Sequence, residues 1–315
     1  MTKKVIKFFL KLAISLGFSY WVIIKIEWTE SWEYLKQVQA WQIALYLLLV
    51  VAGMLISAHK WKILANHKNI YNSFFDFFKF YLTGSFVNNF MPSFIGGDTY
   101  RAYQIGRVEK KYAVAASTVV MDRITGLIGA TILALFFSLL NWKTVLKNNW
   151  LIFFNAVIIL SLFFDIIAMK VRESVFLQKL FRKFIPEKIR HFFNELDAYR
   201  NDHGVLGRAI FWGCLFALIG VALANFVLLK ALGVQIGFLD FLSVIFLITI
   251  VSSIPITINN IGLKEWAFVT FFGLFGVNSS LIIIAAILSR FLQMALSFSA
   301  LPMYLKSRKK MDEKL

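Results

Sequence analysis

Cysteine, proline and histidine are all scarce in these 315 residues, at one, four and four respectively. The lone Cys214 cannot close an internal disulfide and offers no thiolate cluster to a metal. It stands inside an apolar run, where a small buried side chain is the simplest account. His59, His67, His191 and His203 are scattered, without ligand spacing, so neither a metal nor a cofactor is expected. No HExxH, GxSxG or P-loop pattern occurs, which leaves hydrolytic and nucleotide chemistry without a basis in the sequence. Charge is sparse as well: 16% of the residues are Asp, Glu, Lys or Arg, against about a quarter in an ordinary soluble domain.

What fills the chain is apolar: 59% of the residues are hydrophobic and the mean hydropathy is +0.70. The apolar residues come in blocks near 8–26, 41–58, 124–140, 150–169, 209–229 and 281–305, each close to the roughly 20 residues a helix needs to cross a bilayer. The first block follows a basic N-terminus and lacks a small-x-small cleavage site, so it reads as a retained span rather than a signal peptide. The predicted fold is an all-α polytopic membrane protein, a single transmembrane domain over 1–315 with about six full spans and two interrupted, re-entrant helical hairpins.

The net charge of +17 does not point to nucleic acid, which requires a basic face on a soluble domain. It fits the rule that cytoplasmic loops of membrane proteins collect Lys and Arg. The N-terminus, the loop after Ala58 (Lys60, Lys62, Lys68), 101–111, 170–200 and the tail from Lys306 hold 24 of the 34 basic residues. The opposite segments hold four, Lys25, Lys36, Lys143 and Lys147. Both termini are therefore expected inside, in a cytoplasmic (inner) cell membrane, with Trp28, Trp32, Trp41, Trp142 and Trp150 at the outer interface. Residues 171–204 form the one long polar stretch. Their apolar residues recur at helical spacing on either side of Pro186, which suits either amphipathic helices on the inner leaflet or a small cytoplasmic cap.

Two apolar pieces are broken. The first, FFDFFKFYLTGSFVNNFMPSFIGGDTYR, breaks at Pro92 and Gly96-Gly97; the second, FLDFLSVIFLITIVSSIPITINNIGLKE, breaks at Pro255 and Gly262. Asp76 precedes Pro92 by 16 residues and Asp240 precedes Pro255 by 15; Arg123 follows Pro92 by 31 and Arg290 follows Pro255 by 35. With the topology above, the first unit (41–140) and the second (205–305) run in opposite senses. Broken helices at matching places in inverted halves point to a transport site near the midplane, because backbone groups freed at a break are tolerated only against protein or a wet cavity.

Asp98, Arg101, Asp122, Arg123, Asp165, Lys264, Glu265 and Arg290 lie in or beside these blocks. A charge at the bilayer centre costs at least ~2.5–3.5 kcal/mol, so each needs a partner or water. Two readings follow: structural ion pairs between helices, or a polar cavity for a lipid headgroup. In the second, Arg and Lys bond phosphate and amides freed at Gly96-Gly97 and Asn259-Asn260 add an anion site.

NNFMPSFIGGDTYRAYQIGR followed by ASTVVMDRITGLIG resembles the first motif of the lysylphosphatidylglycerol synthase transmembrane-region family, the flippase-like domain proteins; SIPITINNIGLKEWAF resembles its second, looser motif. Lys264-Glu265 stands where Arg-Glu is common, and Asn259-Asn260 where Gly is common. The resemblance spans roughly 5–305. It implies Asn89, Pro92, Gly96, Gly97, Asp98, Arg101, Asp122, Arg123, Gly262, Glu265 and Arg290 as headgroup or cavity residues, to which the embedded charges add Lys264. In the lysyl-lipid synthases a soluble aminoacyl-transferase domain follows; these 315 residues leave no room for it, so no enzyme is expected. The expected function is a flippase for an anionic or modified phospholipid, or a polyprenyl-phosphate carrier. The rivals are a non-catalytic subunit serving a separate transferase partner, and a lipid-modifying enzyme with Asp98 or Asp122 as acid/base.

Overall fold

The computed structural model describes the backbone over residues 3–91, 96–172 and 187–312. Pro92, Pro186, the 173–186 part of the amphipathic stretch and the Asp165 side chain lie outside the described residues. Every regular element described is helical: α1 (Lys3–Lys25), α2 (Trp28–Gln37), α3 (Ala40–His67), α4 (Phe74–Asn88), α5 (Gly96–Glu109), α6 (Tyr112–Leu140), α7 (Trp142–Leu146), α8 (Asn149–Arg172), α9 (Glu187–Asp197), α10 (His203–Ala231), α11 (Phe238–Ser252), α12 (Leu263–Gly273), α13 (Ser279–Ser297) and α14 (Leu301–Asp312). Helices satisfy their own backbone groups, the condition for crossing lipid. Ala40–His67, Tyr112–Leu140, His203–Ala231 and Ser279–Ser307 are each long and apolar enough to cross; the apolar parts described for α1 and α8, Leu12–Lys25 and Asn149–Phe164, are shorter. The protein is a multi-pass membrane protein.

Both broken pieces are hairpins, and they enter from opposite ends of the bundle. Ser73 starts α4 by accepting the Asp76 amide at 3.1 Å, beside the basic end of α3, where Phe77 meets Trp61 edge-on at 4.9 Å. α5 returns along α4 and leads into α6 at the same end, with Tyr103 stacked on Tyr112. α11 starts at the far end, where Asn141 donates to Asp240 at 2.8 Å and Phe246 stacks on Phe137. α12 returns there too, since Phe272 stacks on Phe241 near the start of α11. The tips meet in the interior, where Asn88 Nδ2 donates to Asn259 Oδ1 at 3.3 Å.

The two arms match in detail. Asp76 and Asp240 are each the third residue of a 15-residue helix. Asp98 and Glu265 are the third residues of the return helices α5 and α12. Arg123 and Arg290 are the twelfth residues of α6 and α13, and each pairs with the carboxylate of its own hairpin.

Close helix crossings rest on missing side chains, as is common where van der Waals packing drives association in lipid. A Cβ on Gly53 of α3 would lie 2.6 Å from the Gly220 Cα of α10. At the basic end, 187–201 docks on the bundle as a cap. Tyr199 is fully buried and donates to the Leu64 carbonyl at 2.9 Å, and Lys68 pairs with Glu195 at 2.8 Å. Asp202 then caps α10 by accepting the Val205 amide, which holds its carboxyl below the usual carboxylate range.

Candidate functional site

Between the hairpin tips lies a cavity of three adjoining lobes, of about 360, 380 and 250 Å³, with charged and polar side chains set in walls that are mostly apolar in the first two. The first lobe holds Lys60, Asp98, Arg101, Asp122 and Arg123; it shares Tyr81, Thr249 and Ser253 with the second. The second shares Ser85, Asn260, Lys264 and Gln293 with the third, which also holds Asn88, Asn89, Asn259 and Arg290. The wall of the second includes Phe216, Gly220 and Val221, at or within the π-helical turn Ala217–Leu223 inside α10. Such turns concentrate at functional sites.

The charges at hairpin one are locked to each other. Arg101 donates from Nη1 to Asp98 Oδ1 at 3.1 Å and from Nη2 to Asp122 Oδ2 at 2.9 Å, while its guanidinium lies 4.1 Å from the rings of both Trp61 and Tyr81. Asp98 also pairs with Arg123 Nε. Lys60 Nζ donates to the Asp122 carbonyl at 2.6 Å and lies 3.2 Å from Asp122 Oδ1. Lys60, Arg101 and Asp122 are buried. The expectation that Lys60 sits in a loop is therefore corrected: α3 continues to His67 and carries Lys60 into the core. A lysine one turn beyond a hydrophobic block carries no mark in sequence that would separate the two placements.

Gly97 is corrected as well. Its amide already donates to Asn88 Oδ1 at 3.3 Å, so it is not open to an anion. What it supplies is closeness, because a Cβ there would lie 2.2 Å from the Gly84 carbonyl oxygen of α4. Gly96 opens α5 against Met91.

At hairpin two Arg290 acts as a clamp. Nε and Nη2 reach Glu265 Oε1 at 3.2 and 2.9 Å, and Nη1 and Nη2 reach the carbonyls of Asn259 and Asn260 at 3.0 and 3.2 Å. The break at Asn259-Asn260 thus presents carbonyls, not free amides, to its nearest charge. Both asparagines have positive φ, 47° and 56°, a conformation asparagine tolerates better than most residues; they do what glycine would do there. Glu265 is buried and accepts the Gly262 amide at 2.7 Å. Gly262, at φ +80°, packs against Phe18 of α1, away from the cavity.

Lys264 differs from the other cations. Among the described residues its ammonium has no carboxylate within 4.0 Å; it donates to Ser289 Oγ at 3.0 Å and faces two lobes. Around it, Ser252 Oγ and Asn260 Oδ1 are buried without a hydrogen-bond partner among the described residues. Among the described residues, Lys60, Arg101, Arg123, Lys264 and Arg290 stand against Asp98, Asp122 and Glu265, five cations and three carboxylates. Sequence reasoning does not single out Tyr81, Ser85, Thr249, Ser253 or Gln293, because a hydroxyl or amide inside an apolar helix gives no sign of which face it occupies.

Residues 8–299 match the lysylphosphatidylglycerol synthase TM region family. Among curated proteins, a UPF0104 membrane protein, MJ1595, of Methanocaldococcus jannaschii is 24% identical over 268 residues, covering 78% of this chain and 78% of its own length.

Proposed function

As this chain belongs to the lysylphosphatidylglycerol synthase TM region family, we propose that it moves lipids with anionic headgroups between the leaflets of the cytoplasmic membrane, its basic end facing the cytoplasm. The observation that carries this reading is Lys264, a cation without a carboxylate partner among the described residues, facing a cavity between two oppositely inserted hairpins. Units 41–140 and 205–305 would rock about the fixed cavity, exposing it to each side in turn. A phosphate bound at Lys264 gains a charge-assisted hydrogen bond in a low dielectric. The excess of two positive charges among the described residues favours unmodified phosphatidylglycerol or a polyprenyl phosphate over a lysine-bearing lipid, whose own charge is positive. Asp122 is engaged by Lys60 and Arg101, and Asp98 by Arg101 and Arg123. That supports a carrier over an acid/base enzyme.

The test is leaflet exchange of labelled lipids in proteoliposomes. Wild-type protein should accelerate exchange of phosphatidylglycerol. Lys264→Gln should slow it by about tenfold, the equivalent of ~1.4 kcal/mol, and Lys264→Arg should retain most of it. Folded protein that accelerates none of phosphatidylglycerol, its lysyl derivative and polyprenyl phosphate would refute the reading.

A further inference from the structure

A lipid whose headgroup crosses through an interior cavity must leave its acyl chains in the membrane, so the cavity needs an opening at the side. One seam has the features of such an opening. On the outer face of the bundle, between α5 and α14, lies a mostly apolar groove of about 450 Å³ lined by Val87, Met91, Tyr100, Tyr103, Tyr304 and Ser307. Its volume is in the range of small-molecule sites. The third lobe of the cavity lies on the other side of the same turn, since Asn88 and Asn89 line the lobe while Val87 and Met91 line the groove.

The wall between them is thin. Asn89 Nδ2 donates to Ser297 Oγ at 2.6 Å. Beside that bond, Phe86, Phe90 and Phe298 form a triad with ring centroids 5.2–6.1 Å apart. The outer faces of Phe90, Met91 and Phe298 are exposed. The helix tightens at this level: α13 ends at Ser297, a 3-10 turn covers Phe298–Ala300, and Pro302 stands in the first turn of α14. Pro302 has no amide to donate to the preceding turn, the usual cause of a helix hinge. In sequence, the groove residues Tyr304 and Ser307 run into a basic stretch, Lys306, Arg308, Lys309 and Lys310, of the composition that gathers anionic lipid.

We propose that this groove holds an acyl chain of a phospholipid from the leaflet at the basic end, and that the Asn89–Ser297 seam is the lateral gate through which the headgroup passes into the cavity. α13–α14 swings about Phe298–Ala300 to open it. The gate rests on the translocation reading; the acyl-chain site does not.

Two experiments separate them. In the first, Asn89→Cys and Ser297→Cys are combined, with Cys214→Ala, and the seam is closed by oxidation. Lipid exchange should fall from the rate of the same variant before oxidation to the protein-free level and regain that variant's own rate with reductant, whereas fully cross-linked protein exchanging at the variant's reduced rate would overturn the gate. In the second, wild-type protein is photolabelled with a phospholipid carrying a diazirine in its acyl chain. Label concentrated in 96–104 and 304–307 supports the groove; label spread evenly over all lipid-facing helices rejects it. If wild-type protein exchanges no lipid, the translocation reading and its gate fail together, and the photolabel still decides the groove. If the cysteine variant does not fold, Pro302→Ala tests the gate instead: restoring the missing amide beside Phe298–Ala300 should slow exchange severalfold, and an unchanged rate overturns the swing.

Discussion

Replacing Arg290 with methionine removes four hydrogen bonds at once, two to Glu265 and one each to the carbonyls of Asn259 and Asn260. Glu265 is 4% exposed, so its carboxylate is left charged and unpaired inside the bundle. Breaking a buried ion pair from one side costs about 3–5 kcal/mol. The Arg290 side chain is 29% exposed, which admits some water and places the loss near ~3 kcal/mol. At about 2–4 °C per kcal/mol for larger domains, melting should drop by roughly 6–12 °C. Arg290→Lys keeps the charge but loses the fork that reaches both carbonyls, and should lose about half as much. The double variant Arg290→Met/Glu265→Gln removes the stranded charge, while the substituted side-chain amide oxygen can still accept the Gly262 amide. It should recover ~2 kcal/mol relative to Arg290→Met. Thermal unfolding in detergent, followed by size-exclusion fluorescence, measures all three. A double variant no more stable than Arg290→Met would show that Glu265 does not need its partner, and the clamp would be wrong.

Two further outcomes follow from the geometry. Gly97→Ala drives a Cβ to within 2.2 Å of the Gly84 carbonyl, so α4 and α5 must separate. A loss of about 1–3 kcal/mol is expected, read in the same melting assay, with Gly273→Ala as a control because a Cβ there meets nothing within 4 Å. Asp202 carries a depressed carboxyl pKa because it caps α10. Its contribution is present above the unfolded value near ~4 and is lost as pH falls through the lower folded value. The melting difference between wild type and Asp202→Ala should hold from pH 7 to 5 and shrink below pH 4; a difference that vanishes between pH 7 and 6 would contradict the cap.

Much of the site is legible in the sequence because membranes make charges and breaks expensive. The Asp98, Arg123, Glu265 and Arg290 positions stand out in apolar surroundings, and their spacing from the two breaks anticipates the paired carboxylate–arginine contacts of the two hairpins. Lys60 is not legible, because helix length past a hydrophobic block is set by what the next turn packs against, here Asp122 and Gly126. Nor are the partners of the backbone groups at the breaks, where a ligand is the sequence expectation. The Gly97 amide instead meets Asn88, and the Asn259 and Asn260 carbonyls meet Arg290, partners brought near by chain folding rather than by spacing.

Hydropathy and the distribution of Lys and Arg were enough to determine a multi-pass helical protein with two interrupted segments, since each residue's transfer cost is a local property that sums along the chain. Which of the described cations of the site are neutralised and which is left facing a cavity was decided only in three dimensions. Arg101, Asp122 and Lys60 come from three helices, and Lys264 is spared a carboxylate because Arg290, from α13, takes the one beside it. Electrostatic energy depends on distance and burial, and neither is encoded at any single position of the chain.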